Sequence, residues 1–136
     1  MAIREPKTSL HMFGPLPEGS SGVYRAIIVD ENGRPVPVVN SIKATLYDIS
    51  SSTIINRRKE QDVNNINGGT LDINTGQFVL QLTPQDNVVL DQRRDFEDHV
   101  LRLEFTYNSQ LPGASQLFGT HGIIIRVQSL SISSIP

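Results

Sequence analysis

The residues best suited to chemistry in this sequence are His99 and the two carboxylates just before it, Glu97 and Asp98. A histidine oriented by a carboxylate is a common general base in hydrolases. However, the chain has no G-x-S-x-G turn that would present a nucleophilic serine, and His99 falls on the inward face of a strand pattern. We therefore predict a buried histidine that is hydrogen-bonded to backbone at a corner of a sheet, in a protein that is not an enzyme.

A second candidate is a stretch rich in Asn and Gly that begins at Asp62 and is similar to a calcium-binding loop. Such a loop needs oxygen ligands at positions 1, 3 and 5 and a bidentate Glu at position 12. Counting from Asp62, Asn64 fits, whereas Ile66 and Ile73 stand at positions 5 and 12. Asn and Gly also tolerate left-handed backbone. We predict that this stretch turns the chain and binds no metal.

The sequence offers little for zinc, redox or phosphate chemistry. It has no cysteine, which removes thiolate ligands, disulfides and thiol catalysis. Its three histidines, His11, His99 and His121, are far apart in the sequence, and no carboxylate pair brackets them at a spacing recognised for zinc sites. The segment 67–70 precedes a strand pattern, so it lacks the helix N-terminus that phosphate sites use. We expect no metal and no cofactor.

Composition narrows the possible partners. A chain of 136 residues is the length of one domain with its own core. With 12 basic and 14 acidic residues the net charge is -2, which gives no electrostatic footprint for nucleic acid. No apolar run reaches the ~18 residues of a membrane span, and the N-terminus does not resemble a signal peptide. We expect a soluble protein made in the cytoplasm, with neither nucleic acid nor membrane as a partner.

Short segments of alternating apolar and polar residues, separated by Gly, Pro and Asn, fill the rest of the chain. This period of two predicts strands with one buried face, and one helical turn is possible between residues 88 and 99. Together the segments predict an all-β, immunoglobulin-like antiparallel β-sandwich at 22–130, with a tail at 131–136. The predicted strands lie at 23–30, 40–49, 52–57, 70–73, 77–82, 99–108 and 121–130.

Residues 1–21 are predicted to form an extended N-terminal arm outside the sandwich. They contain three prolines and two glycines and show no sustained period. A disordered tail is usually depleted in large apolar residues, but this segment carries four that could bind a partner. We expect the arm to dock on a neighbouring protein by adding a strand or filling a groove. The four docking residues are Leu10, Met12, Phe13 and Leu16.

A set of turn, corner and core residues covers the central half of the chain. It comprises Leu46-Tyr47-Asp48, Ile55-Asn56-Arg57, Asp62-Val63, Asn67-Gly68-Gly69-Thr70, Gly76, Phe78, Leu82, Pro84, Asp86, Asn87, Glu97, His99, Phe105 and Tyr107. In this set the chain resembles small structural proteins of tailed bacteriophages. The resemblance implies a virion component with an immunoglobulin-like fold, present in many symmetric copies on the capsid surface or at the neck or tail.

These observations predict a non-enzymatic structural or adaptor protein of a tailed-phage virion, which acts by forming interfaces. Its expected partners are other virion proteins and copies of itself in a symmetric homo-oligomer. The alternative is a β-sandwich binding module that recognises a carbohydrate or host-surface ligand through the loops 64–69 and 111–120. The lack of Trp and the scatter of three Tyr over three strands weigh against an aromatic sugar platform.

Overall fold

A computed structural model of the chain describes residues 2–4, 12–29, 33–34, 39–108 and 116–130, with side chains from residue 13 onward. All of the regular structure in these ranges is β-strand, so the prediction of an all-β fold is confirmed. The same ranges contain no helix long and apolar enough to cross a membrane. The strands are Ala2–Arg4 (β1), Met12–Pro17 (β2), Gly22–Val29 (β3), Val39–Asp48 (β4), Gln61–Asp62 (β5), Gly69–Leu71 (β6), Gln77–Leu82 (β7), Phe96–Asn108 (β8) and Gln116–Gln128 (β9).

The strands form two sheets, ordered β1-β3-β7-β6 and β2-β9-β8-β4-β5. All neighbouring strands are antiparallel except β2, which runs parallel to β9. The two sheets are consistent with a β-sandwich, and its assignment to the immunoglobulin-like type stays a prediction. The chain lacks the inter-sheet disulfide and the core Trp of antibody domains.

The core lies between the sheets, where the alternating patterns bury one face of each long strand. The inward residues that the sequence predicts on β4, β7 and β8 are at most 1% exposed, so their assignment to the core is confirmed. Burial of such side chains contributes roughly 1.5–3 kcal/mol each. These residues are Ile42, Ala44, Leu46, Phe78, Leu80, Leu82, His99, Leu101, Leu103, Phe105 and Tyr107.

Two segments differ from their local predictions. Residues 88–95 form turns and bends without a helix, and the Glu97 carboxylate accepts the backbone amides of Leu90 and Asp91 there. The predicted strand at 52–57 reduces to one bridge between Tyr47 and Ile54.

The first twenty-one residues are partly integrated into the sheets. Met12–Pro17 pairs with β9 and Ala2–Arg4 pairs with β3. Proline and glycine interrupt the alternation of apolar and polar residues in Met12–Pro17, and its register with β9 shifts between Phe13 and Leu16. Edge strands tolerate proline. The sequence pattern therefore does not reveal this strand. The tail at 131–136 lies outside the described residues.

Two of the four predicted docking residues contact the core of their own chain. Phe13 and Leu16 are partly buried against it, and the Phe13 ring meets the Tyr24 ring edge-on with centroids 6.0 Å apart. Leu10 and the side chain of Met12 lie outside the described residues. Docking of these four residues onto a neighbour stays a prediction.

Candidate functional site

The predicted histidine site is a buried cluster where β4 ends and β8 begins. Asp48 stands opposite His99 in the ladder between these strands, and Glu97 projects from the same face of β8, two residues before His99. All three residues are at most 2% exposed. His99 Nε2 lies 3.0 Å from Oε1 of Glu97. The prediction of a backbone partner for His99 was therefore wrong, because a carboxylate on its own strand bonds to it.

Backbone amides and one arginine interact with the carboxylates of this cluster. The Glu97 carboxylate accepts the backbone amides of Leu90 at Oε1 and Asp91 at Oε2, each at 2.8 Å. Nη1 of Arg94 lies 3.5 Å from Oε2 of Glu97 and 3.7 Å from Oδ2 of Asp48. A buried carboxylate requires such partners because desolvation opposes its charge. The cluster consequently fixes residues 90–94 against the end of the sandwich.

The same cluster is poorly suited to binding a metal ion or to acting as a general base. Asp48, Glu97 and His99 each offer a ligand atom within 4.8 Å of the others, and Asp48 Oδ1 and His99 Nδ1 have no hydrogen-bond partner among the described residues. The Arg94 guanidinium already supplies a positive charge beside both carboxylates, where it would oppose a bound cation. A general base must reach its substrate, and His99 is fully buried.

A second buried ionic pair, between Arg58 and Asp86, was missed by sequence reasoning. The charged run 57–62 suggests a solvated face or a subunit contact, but the side chains of Arg58 and Asp86 are 4% and 0% exposed. The guanidinium donates to both carboxylate oxygens at 2.7 and 3.0 Å. Its Nη1 also donates to Gln61 Oε1 and to the Asn67 carbonyl, at 2.9 and 3.1 Å. Because Arg58 is buried, the interpretation of the run as a solvated face was wrong for this residue.

Asp86 is held in its charged form by its surroundings. Burial raises the pKa of this carboxyl, but hydrogen bonds from Arg58, the Asn56 amide group and the Thr83 backbone outweigh it, so the pKa lies below the ordinary value of 3.8. The Thr83 amide donates to Oδ2 at 2.7 Å and Asn56 Nδ2 to Oδ1 at 2.8 Å. Charge-assisted bonds of this kind are about twice as strong as neutral ones.

In the Asn- and Gly-rich stretch, the polar side chains are engaged in turns. Asp62 Oδ1 accepts the amide of Asn64, two residues on, at 3.0 Å, and Asn65 Oδ1 accepts the amide of Leu71 at 2.9 Å. Asn65, Asn67 and Gly68 have positive φ. A Cβ at Gly68 would approach the Gln81 carbonyl oxygen to 2.9 Å. These oxygens stabilise a tight turn.

Four large apolar side chains are exposed at one end of the sandwich, which we call the apolar end. Ile49, Leu90, Phe96 and Leu130 are between 43% and 57% exposed. Hydrogen bonds and ladder pairs bring them to the same end. The amide of Ile49 bonds to Asp98 O, the amide of Leu130 bonds to Glu18 Oε1, and Phe96 pairs with Gln128.

A rim of ion pairs accompanies the apolar end. Arg126 forms two bonds with Asp98 at 2.8 and 3.0 Å, and its guanidinium carbon lies 3.9 Å from the centre of the Phe96 ring. Arg93 donates to both oxygens of Asp91. These hydrogen bonds hold the pKa of Asp91 at about 2. Apolar residues surrounded by a polar rim are the usual composition of a protein interface.

Comparisons of this chain with family models, with curated proteins and with solved structures gave no match.

Proposed function

We propose that this protein is a non-enzymatic structural or adaptor component of a tailed-phage particle, which forms interfaces with copies of itself and with neighbouring virion proteins. The observation that carries the proposal is the apolar end, at which Ile49, Leu90, Phe96 and Leu130 are each exposed. Single exposed apolar residues are normal in any protein. Several at one end of a molecule are typical of a surface that a partner covers.

The loop at residues 90–94, which contributes Leu90 to this surface, is held in place by hydrogen bonds and an ion pair within the chain. Glu97 accepts the amides of Leu90 and Asp91, and Arg94 reaches toward the same carboxylate. A surface that is already ordered loses less conformational entropy on binding. Phe96 beneath Arg126 also provides the aromatic and Arg content that dominates binding energy in many interfaces.

The alternative mechanism of strand addition has less support. The described edge strands β1, β5 and β6 contain two or three residues each, and β2 carries Pro15 and Pro17. Short or proline-containing edges are poor templates for a further strand. The apolar end is consequently the better candidate for the contact.

Burial of the one His and carboxylate cluster found among the described residues supports a non-enzymatic role. Placement in a phage particle rests on the sequence resemblance. In such a particle, many symmetric copies would add avidity to a modest individual contact.

The test compares two matched pairs of substitutions. Leu90→Glu with Leu130→Glu places charges on the apolar end, while Ile66→Glu with Ile73→Glu changes residues of similar or greater exposure elsewhere. All four are exposed, so folding should be preserved, and circular dichroism checks this. The readouts are incorporation into purified particles and self-association by sedimentation velocity.

We expect the variant of the apolar end to lose both properties and the control pair to keep them. Normal incorporation and association of the apolar-end variant would contradict the proposed surface. Absence of the wild-type protein from the particles would contradict the virion placement.

A further inference from the structure

A pocket of about 370 Å³ opens on the outer face of the five-stranded sheet. It lies between β4, β8 and the segment 52–60. Its volume falls in the lower part of the range of about 300–1,000 Å³ that is typical of small-molecule sites. The residues that line the pocket are Thr45, Tyr47, Ser52, Ile54, Lys59, Glu60 and Arg102.

The floor and walls of the pocket are fixed by main-chain pairing. Thr45 stands opposite Arg102 in the ladder of β4 and β8, and Tyr47 follows Thr45 on the same face of the sheet. Ile54 bridges to Tyr47. The amide of Glu60 donates to Oγ1 of Thr45 at 3.0 Å. Two strands and one well-bonded segment therefore surround the opening.

The buried Arg58 holds the segment 52–60 in place. Its guanidinium turns inward to Asp86, so the neighbouring Lys59 and Glu60 project outward into the pocket. Ser52 and Glu60 adopt left-handed backbone with φ of 59° and 46°. Residues other than Gly adopt this backbone conformation at a cost in conformational free energy, and such residues often cluster at ligand sites.

Apart from Thr45, whose Oγ1 accepts the Glu60 amide, and Arg102, the polar side chains that line the pocket have no side-chain partner in the described part of the chain. Tyr47, Ser52, Lys59 and Glu60 form no side-chain hydrogen bond or ion pair with a described residue. Arg102 reaches only Glu104, at 3.4 Å, and its side chain is 48% exposed. A guanidinium has five N–H donors, so most of them are available.

The combination of these groups indicates the chemistry of the ligand. Lys59 and Arg102 supply two positive charges, and Arg binds carboxylates with matched geometry. Tyr47 and Ile54 supply apolar surface for the C–H face of a ring. The carboxylate of Glu60 accepts hydrogen bonds from hydroxyl groups, and it offsets one of the two positive charges, so that the charge of the lining suits a monoanionic carboxylate better than a dianionic phosphate.

We infer that this pocket binds a sugar that carries a carboxylate, of the hexuronic acid type. The sugar carboxylate lies between Arg102 and Lys59, the ring packs on Tyr47 and Ile54, and the sugar hydroxyls donate to Glu60. This binding site is separate from the interface function proposed above, and either can hold without the other.

The experiment is a titration of the ¹⁵N-labelled full chain with glucuronic acid, followed by amide chemical shifts. Glucose, acetate and inorganic phosphate are titrated in parallel. The variants are Arg102→Gln and Lys59→Gln, and the matched control is Arg25→Gln, which removes an exposed charge from β3 in the other sheet. All three residues are exposed, so the folds of the variants are expected to match and their spectra report this.

We expect shifts at residues 45–47, 52–60 and 102 with glucuronic acid, and weaker binding of the other three compounds. Loss of a charged hydrogen bond should weaken binding by about ten- to a hundredfold in Arg102→Gln, whereas Arg25→Gln should bind like the wild type. Equal binding of glucose, acetate or phosphate would overturn the inference. An absence of shifts in the pocket would overturn it as well.

Discussion

Polar side chains on the inner and outer sides of the segment 52–61 differ in their hydrogen bonding. On the inner side, the guanidinium of Arg58 is bonded to Asp86, Gln61 and Asn67. On the outer side, Lys59 and Glu60 have no side-chain partner among the described residues. The chain thus alternates between a buried polar group that is hydrogen-bonded within the chain and exposed polar groups that are available to a ligand.

This difference separates the residues that specify the fold from those that can recognise a ligand. A buried polar group must be bonded within the chain, because its desolvation is otherwise uncompensated. An exposed group is hydrated and costs little when it lacks a partner. Substitutions on the inner side should therefore change stability, and those on the outer side should change binding.

The largest effect is expected from Asp86→Ala. This change leaves the buried Arg58 without its anion and should lower the free energy of unfolding by about 3–5 kcal/mol, measured by urea denaturation. The control is Asp91→Ala, which breaks the exposed pair with Arg93 and should change stability little. Equal losses in the two variants would show that burial does not distinguish the pairs.

The variant Glu97→Gln should have a smaller effect, of about 1–3 kcal/mol. The amide group offers only one acceptor atom where the carboxylate serves both Leu90 and Asp91. Urea denaturation measures the loss, with the half-buried Glu104→Gln as control. A stability equal to that of the wild type would mean that the amides of the loop find other acceptors.

Low pH should remove the stabilisation that the charged Asp86 contributes. The folded pKa of Asp86 lies below its ordinary value of 3.8, so its contribution is fully present above that pH and is lost as the pH falls through the folded pKa. The difference in unfolding free energy between wild type and Asp86→Asn should therefore shrink below about pH 4. A difference that stays constant from pH 6 to pH 2 would contradict this assignment.

The smallest effects on stability are expected at the pocket. Lys59→Gln and Arg102→Gln should each stay within about 0.5 kcal/mol of the wild type, because their side chains are exposed. A loss as large as that of Glu97→Gln would place these residues among those that specify the fold, and the comparison of the two sides would fail.

The sequence predicted the long strands well because their signal is local. Alternation in β4, β7 and β8 identifies the buried face from neighbours along the chain. No local signal identified β2, since Gly14, Pro15 and Pro17 interrupt its alternation and its partner β9 is about 100 residues away. Pairing between distant segments defines that strand.

The polar sites were harder to predict for the same physical reason. Arg58 and Asp86 are 28 residues apart in the sequence. The sequence of a charged run does not show whether one of its side chains is buried. The Glu97–His99 contact was visible as a spacing on one strand face, but the role of Glu97 in binding the Leu90 and Asp91 amides depends on a loop conformation that no pattern encodes. Exposure of Leu90 likewise follows from that loop.

Amide hydrogen exchange of the protein in its assembled and monomeric states tests the central claim most directly. The account predicts that assembly slows exchange around the apolar end, in the segments 88–96 and 128–130, and leaves the turn at 72–76 unchanged. Slower exchange at 72–76 with no change in the segments 88–96 and 128–130 would contradict the account.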